Sequence, residues 1–430
     1  MADVRPFKGL LFNPDVVGPM EHVICPPYDV IDFQTQEQLY KRNRYNVVRL
    51  EEGKIELSDD DDKNRYTRSA EHLRLWIAEA ALVRDEIPSY YLVRQGFRVG
   101  NGFKHRLGLV AAVKLEEYEQ GSVIPHEYTR NGPRADRLAL MEKCHANISH
   151  IMLLYRDSQN TILQMLASAT TETLVFDFKD ADDQTFEVWR IADTSQIKFI
   201  RDMLADKPLY IADGHHRYET SLTYRDSYTP SSSSDDHACN FVLSYLVEFN
   251  DPGLIVSPYH RVIKNSDIES QKKLNQIIHQ CFTETPLQWK IGSPTESLLL
   301  EIEDKRTYPR SFCMVSSVNH TASILTLKEE YMPDTQGPIE QFEAWILEEV
   351  ILKPAFEDGI DQYVEWMHNP SEALERLARN SHQIAFLLSP PSMDLLEEII
   401  NSGKKLPRKS TFFYPKLPTG LVINLLESIV

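Results

Sequence analysis

The apolar residues of this chain fall in short runs, and those runs switch between a two-residue and a 3.6-residue period. The most apolar stretches are LGLVAAV (107–113) and IMLLY (151–155). Both are strand-sized and far below the roughly 18 residues that span a bilayer. A chain patterned this way buries strand faces under helices in layers, so the expected class is α+β with mixed α/β layers. At 430 residues it is also longer than one core usually serves. No internal period of about 20–50 residues occurs, which argues against a solenoid or propeller.

Alternation and the Asn101–Gly102 dipeptide predict a hairpin built from strands at Ser89–Arg94, Gly96–Val99 and Arg106–Leu115. Ala70, Leu73, Trp76, Ile77 and Ala80 recur at helical spacing and predict a helix over Asn64–Ala81. A second helix is expected at Ala135–Ala146. The strand Pro208–Ala212 leads through a turn into a helix at Arg217–Ser227, and TPSSSSDDH (229–237) is a low-complexity loop before NFVLSYLVEF (240–249). Beyond Asn265 the pattern starts afresh. Helices are expected at Ile268–Cys281, Glu296–Glu303, Ile339–Leu352, Ser371–Ala378 and Met393–Ile400. Strands are expected at Leu287–Ile291, Ser311–Val318, Ala322–Leu327 and Gln383–Leu388, and again at Thr411–Tyr414. This divides the chain into an N-terminal α/β region, 1–264, and a C-terminal α+β region, 265–430. The KSTFFYPK segment (409–416) of the latter is expected to return to the site.

Lys and Arg number 46 against 64 Asp and Glu, a net charge of −18, which repels nucleic acid and anionic lipid at long range. No nucleic-acid or membrane partner is therefore expected, and the oligomeric state is not legible. GxGxxG and GxxxxGK[ST] are both absent. MADVRPFKGL has no apolar leader pattern, and Cys25, Cys144, Cys239, Cys281 and Cys313 are widely spaced and odd in number. A cytoplasmic protein with reduced thiols is the expectation. His145 and His150 are five apart, off a common helix face, and no HExxH occurs, so no permanent metal is expected.

The most informative segment is KPLYIADGHHRYETSLTYRDSY (207–228), where a buried strand runs into Asp213, Gly214, His215 and His216 and a helix opens near Arg217. The first amides of a helix have no intrahelical acceptor and point, with the positive end of the dipole, at an anion. Gly214 permits close backbone approach. Four polar groups in one turn suit phosphate binding and charge neutralisation better than packing. In IPHEYTRNGPRADRLALM (124–141), Glu127 lies between His126 and Thr129 with Arg130, Arg134, Asp136 and Arg137 following. A carboxylate in that company can be a general base or a structural ion pair. Lys409, Ser410, Thr411 and Lys416 suit a phosphate or carboxylate. Weaker candidates for substrate contact are Arg5 and Lys8, Tyr28 and Asp29, and His260 with Arg261.

IADGHHRYE resembles the G-x-[HR]-R turn of the ParB/sulfiredoxin-like superfamily, and most nearly the D-G-H-H-R of the ADP-dependent free serine kinases. The wider chain resembles the domain of unknown function 1015 family through RPFKGL, VICPPYDVI, VIPHEYT, RADRLALM, IADGHHRYE, DPGLIVSPYHR and RKSTFFYPKLPTGLV, in that order. The resemblance implies a ParB/sulfiredoxin-like phosphate-binding core followed by a C-terminal α/β unit. It further implies phosphotransfer on free serine or O-phosphoserine, as kinase or phosphatase, with Mg²⁺ accompanying ADP or ATP. Glu127 would be the base, with Asp213, His215 and His216 beside it. The readings from other classes are a non-catalytic nucleotide-sensing protein of ParB-like fold and a metal-dependent hydrolase.

Overall fold

The computed structural model describes residues 2–100, 102–129, 131–228, 234–264, 266–306, 310–318, 320–333, 337–378 and 382–430, without the side chains at 131, 133, 358, 382 and 383. Asn101 of the expected turn, Arg130, and residues 229–233 of the low-complexity loop lie outside the described residues. The chain forms two compact units. The first comprises Met1–Pro125, Thr129–Ile255 and Pro415–Val430, and the second comprises His126–Tyr128 and Val256–Tyr414.

A nine-stranded sheet organises the first unit. From one edge the strands run Val123–Ile124, Leu209–Asp213, Ile151–Tyr155 and Phe241–Glu248. They continue with Gly102–Lys114, Tyr90–Val99, Thr185–Ile191 and Thr173–Lys179, while Val4–Arg5 pairs with the Gly102–Lys114 strand. Two neighbouring pairs are parallel, Leu209–Asp213 with Val123–Ile124 and Phe241–Glu248 with Ile151–Tyr155. The expected hairpin forms with Val99 opposite Gly102, and the two short strands expected before it are one continuous strand. The core beneath holds Leu153, Ile211, Ile151 and Leu246, all fully buried. The run LYIAD is thus apolar because it is an inner strand covered on both faces.

The second unit has a six-stranded sheet ordered Phe282–Pro286, Thr321–Leu327, Ser311–Ser316, His382–Leu387, His260–Lys264 and Val364–Met367. All of its pairings are antiparallel. Helices Ile268–Cys281, Thr295–Lys305, Pro370–Ala378 and Met393–Asn401 accompany it, close to their expected bounds. The architecture is α+β.

The units divide at Ile255, not at 264. His260–Lys264 hydrogen-bonds with Val364–Met367 and His382–Leu387, which commits it to the second sheet. At the other end, Asn424–Leu425 pairs with Ala146–Asn147, which places the last residues in the first unit. The strand expected at Leu287–Ile291 lies earlier, at Phe282–Pro286. It is an edge strand with only Phe282 buried, so it lacks the apolar alternation that marks an inner strand. The single helix expected at Ile339–Leu352 is broken into a 3₁₀ turn, a helical turn Glu343–Ile346 and a π-helical segment Leu347–Leu352. Pro354 follows in the next turn and has no N–H to continue a regular ladder. All five cysteines are free and buried, and among the described residues no helix is long and apolar enough to cross a membrane.

Candidate functional site

The Leu209–Asp213 strand ends with a register shift between Ile211 and Asp213 against Ile151–Tyr155. Such a bulge re-aims the side chains at a strand end. Gly214 then takes φ +95° and acts as N-cap of the His215–Ser227 helix, with no side chain closing the cap. The helix starts two residues before the position its periodicity indicated. A Cβ at Gly214 would lie 2.8 Å from Ile151 Cγ2 and 3.2 Å from Arg217 Nε. Both conformation and space therefore require glycine here.

Asp213 is the electrostatic centre of the turn. Arg217 Nη2 donates to Asp213 Oδ2 at 2.6 Å, one helical turn away, and Lys416 Nζ lies 3.0 Å from Asp213 Oδ1. Burial opposes ionisation of Asp213, but Lys416 and Arg217 outweigh it and hold the carboxyl well below its ordinary value. Lys416 also pairs with Asp29, and Arg217 Nη1 donates to the His150 carbonyl. Arg137 and Arg217 both flank the Tyr28 ring, with guanidinium carbons 4.2 and 5.9 Å from its centroid. His215 is buried in the first helical turn, and His216 beside it is half-buried. Strand, turn, Tyr28–Asp29 and Lys416 thus converge.

Beneath the turn, Glu51, Arg137, Ser149, Arg217, Thr220 and Ser221 line a cavity of about 30 Å³, the size of one water. Glu51 Oε1 and Arg217 Nε are buried there without a hydrogen-bond partner. Arg137 is fixed by carboxylates, donating to Asp136 Oδ2 at 2.7 Å and Glu52 Oε2 at 3.2 Å. Glu51 was missed by the sequence reading. In VVRLEE (47–52) it stands beside Arg49 and Glu52 with nothing to single it out, and the His150 carbonyl has no side-chain signal at all. Thr129 donates to Glu219 Oε2 at 2.5 Å, and Arg134 lies 3.1 Å from the same oxygen, so Thr129 is engaged with the side of the helix. Arg5 is held by Asp3 and Asp236, and Lys8 is half-buried on the loop after the first strand.

The remaining candidates belong to the second unit. His126 Nε2 and Thr411 Oγ1 are 3.1 Å apart, and the Ser410 amide donates to Glu127 Oε1 at 3.4 Å. Lys409 adopts φ +55° with its ammonium 5.2 Å from the centroid of Tyr259. Arg261 is buried, and its Nη1 donates to the Tyr259 carbonyl. Burial pulls the Arg261 guanidinium down to about 10 against the opposing carboxylates of Glu348 and Glu127. His260 is buried, its Nδ1 accepts from the Leu388 amide at 3.2 Å, and burial lowers it to about 3. Among the described residues no group of three His, Cys, Asp or Glu side chains is placed to hold a metal ion.

Two outcomes are expected. Gly214→Ala lowers stability by about 2–4 kcal/mol, from left-handed backbone strain and overpacking against Ile151. In a double-mutant cycle with Ile151→Ala, denaturant unfolding should recover at least about 1 kcal/mol of the combined loss. Full additivity would deny the close approach. For His260, the depressed folded pKa means that its stabilising contribution is complete above about 6.5 and is lost as pH falls from there toward 3. Unfolding free energy should drop by up to about 1.4 kcal/mol per pH unit in that window. His260→Gln keeps an acceptor without titrating, and its profile should be flatter.

No curated protein matches the sequence. Among solved structures, a conserved hypothetical protein from Pyrococcus furiosus aligns at 11% identity, covering 71% of this chain and 92% of that one, with a TM-score of 0.38. A free serine kinase in complex with AMP aligns at 12% identity over 71% of this chain and 89% of its own, with a TM-score of 0.39. SbnI with a C-terminal truncation, from Staphylococcus aureus, aligns at 10% identity over 74% and 87%, with a TM-score of 0.39. The seven ordered segments noted in the sequence have a firmer counterpart. The family described as protein of unknown function (DUF1015) matches residues 4–346, and the chain belongs to that family.

Proposed function

We propose that this chain is a phosphotransfer enzyme that binds nucleotide phosphate at the 213–217 turn and acts on free serine or O-phosphoserine. The observation that carries the reading is the turn itself. A bulged strand end delivers a left-handed Gly214 onto an uncapped helix start, and Arg217 and Lys416 meet on Asp213 beside it. A helix start, a guanidinium and an ammonium in one place suit a phosphate. Its ParB/sulfiredoxin-like character and its serine substrate rest on the resemblance of D-G-H-H-R to the free serine kinases.

In this reading the first helix amides and Arg217 hold phosphate, and Lys416 exchanges carboxylate oxygens for phosphate oxygens. His215 and His216 neutralise charge on the transferred phosphoryl group. Glu127 is assigned the base from its place ahead of the turn in the chain. In the kinase direction serine Oγ forms the new bond to phosphorus and the bond to the nucleotide's bridging oxygen breaks. Glu127 takes the hydroxyl proton. In the phosphatase direction water supplies the attacking oxygen. Mg²⁺ would accompany the phosphates of ADP or ATP and offset their charge.

The deciding assay incubates the full chain with serine plus ADP or ATP, and with phosphoserine plus ADP or water, following phosphoserine and free phosphate. Transfer in either direction is expected. Glu127→Gln should lower turnover by about 10²-fold or more with ADP affinity retained. His216→Ala should lower kcat by about 10²–10³-fold, far more than it raises KM. Nucleotide binding without transfer in any combination would overturn the enzymatic reading in favour of a nucleotide sensor.

A further inference from the structure

The second unit contains a separate cavity of about 320 Å³, within the range of small-molecule sites. One wall is a single helical stripe. Leu299, Ile302, Glu303 and Arg306 stand at i, i+3, i+4 and i+7 along the Thr295–Lys305 helix and its C-cap. His260 and Leu387 line it from the sheet.

The charges on this stripe are of both signs and differ in depth. The Arg306 side chain is 2% exposed, and its guanidinium is fixed by Glu343 and the Ser311 carbonyl. Glu303 is exposed, one helical turn earlier. A fixed guanidinium at depth suits a carboxylate, and an exposed carboxylate at the rim suits an ammonium that keeps part of its hydration. His260 adds a neutral donor. Its Nδ1 accepts from the Leu388 amide, which leaves the ring proton on Nε2. The rest of the stripe is apolar at Leu299 and Ile302, and the facing lining sets Leu387 and Leu388 among Ser257, His368 and Ser389.

We propose that this cavity binds a free α-amino acid with an apolar side chain, its carboxylate at Arg306 and His260, its ammonium at Glu303 and its side chain against Leu299, Ile302 and Leu387. A zwitterion offers its ammonium to Glu303 and its carboxylate to Arg306, whose charge is already shared with Glu343. A dicarboxylate would set its second charge against aliphatic carbon, which is costly. The site lies in the unit that does not hold the 213–217 turn, and it stands or falls without the phosphate reading.

The test is thermal unfolding and titration calorimetry of the full chain with L-leucine, L-methionine, L-phenylalanine, L-serine and L-aspartate. Leucine analogues lacking the amine (4-methylpentanoate) or the carboxylate (3-methylbutylamine) complete the panel. At least one apolar amino acid should raise Tm by about 2–4 °C at several times its Kd. Aspartate and both truncated analogues should do less, and any serine shift should survive Leu299→Trp. Glu303→Gln, an exposed change, should weaken that amino acid about tenfold and leave 4-methylpentanoate unaffected. Leu299→Trp, at a 40% exposed position, should fill the cavity and remove the shift while the unliganded Tm stays near wild type. The proposal is overturned if no apolar amino acid binds, if aspartate binds as well as leucine, or if serine matches leucine and its response is lost in Leu299→Trp. It is equally overturned if binding of the apolar amino acid survives Leu299→Trp. ADP titrated in the same experiment reports on the turn alone, so the two failures are distinguishable.

Discussion

One carboxylate shared by two cations organises the candidate site. Asp213 takes Arg217 from the first turn of the helix it precedes and Lys416 from the C-terminal segment. Removing both partners would leave a largely buried charge without a counter-ion, which costs several kcal/mol in comparable settings, and removing one leaves the other to hold it. The segment that brings Lys416 is fixed independently. Arg106 donates to the Pro415 carbonyl and Gln95 Nε2 donates to the Lys416 carbonyl at 3.4 Å, both from inner strands of the large sheet. The sheet thus sets the position of Lys416, and Lys416 with Arg217 sets the orientation of Asp213.

The same contacts explain how the turn can be both stable and receptive. Lys416 rests on Asp213 and Asp29, and Arg217 rests on Asp213, so neither cation stands exposed in bulk water. A phosphate entering at the helix start offers these cations more oxygens than the carboxylates do. The exchange moves charge between partners already in place and needs little chain reorganisation, the economy expected of preorganised electrostatic sites. Gly214 makes it possible by keeping Ile151 within contact of the turn.

Much of this was legible in the sequence, and the reasons differ by residue. The LYIAD strand, the glycine and the helix behind it follow from apolar pattern and backbone chemistry, which are local. Tyr28, Asp29 and Lys416 were visible only as isolated polar residues near prolines, because nothing local records which cation meets which carboxylate across the fold. Glu51 and the His150 carbonyl left no usable pattern. His260 is legible only in part. A histidine beside an arginine suggests a ligand contact, and nothing in the pattern records that its Nδ1 accepts from the Leu388 amide. The strand at Phe282–Pro286 and the break near Leu347–Leu352 escaped for related reasons, one being a polar edge and the other a helix disturbed from its far end by Pro354.

The central claim is that Lys416 and Arg217 form a phosphate cradle on Asp213. Calorimetric titration of ADP into the wild type and into Lys416→Met, at two salt concentrations, tests it most directly. One charge-assisted contact is worth about 1.5–3 kcal/mol, so the variant should bind ADP at least about tenfold more weakly, with a shallower salt dependence. Equal affinity and equal salt dependence in a folded Lys416→Met protein would contradict the account.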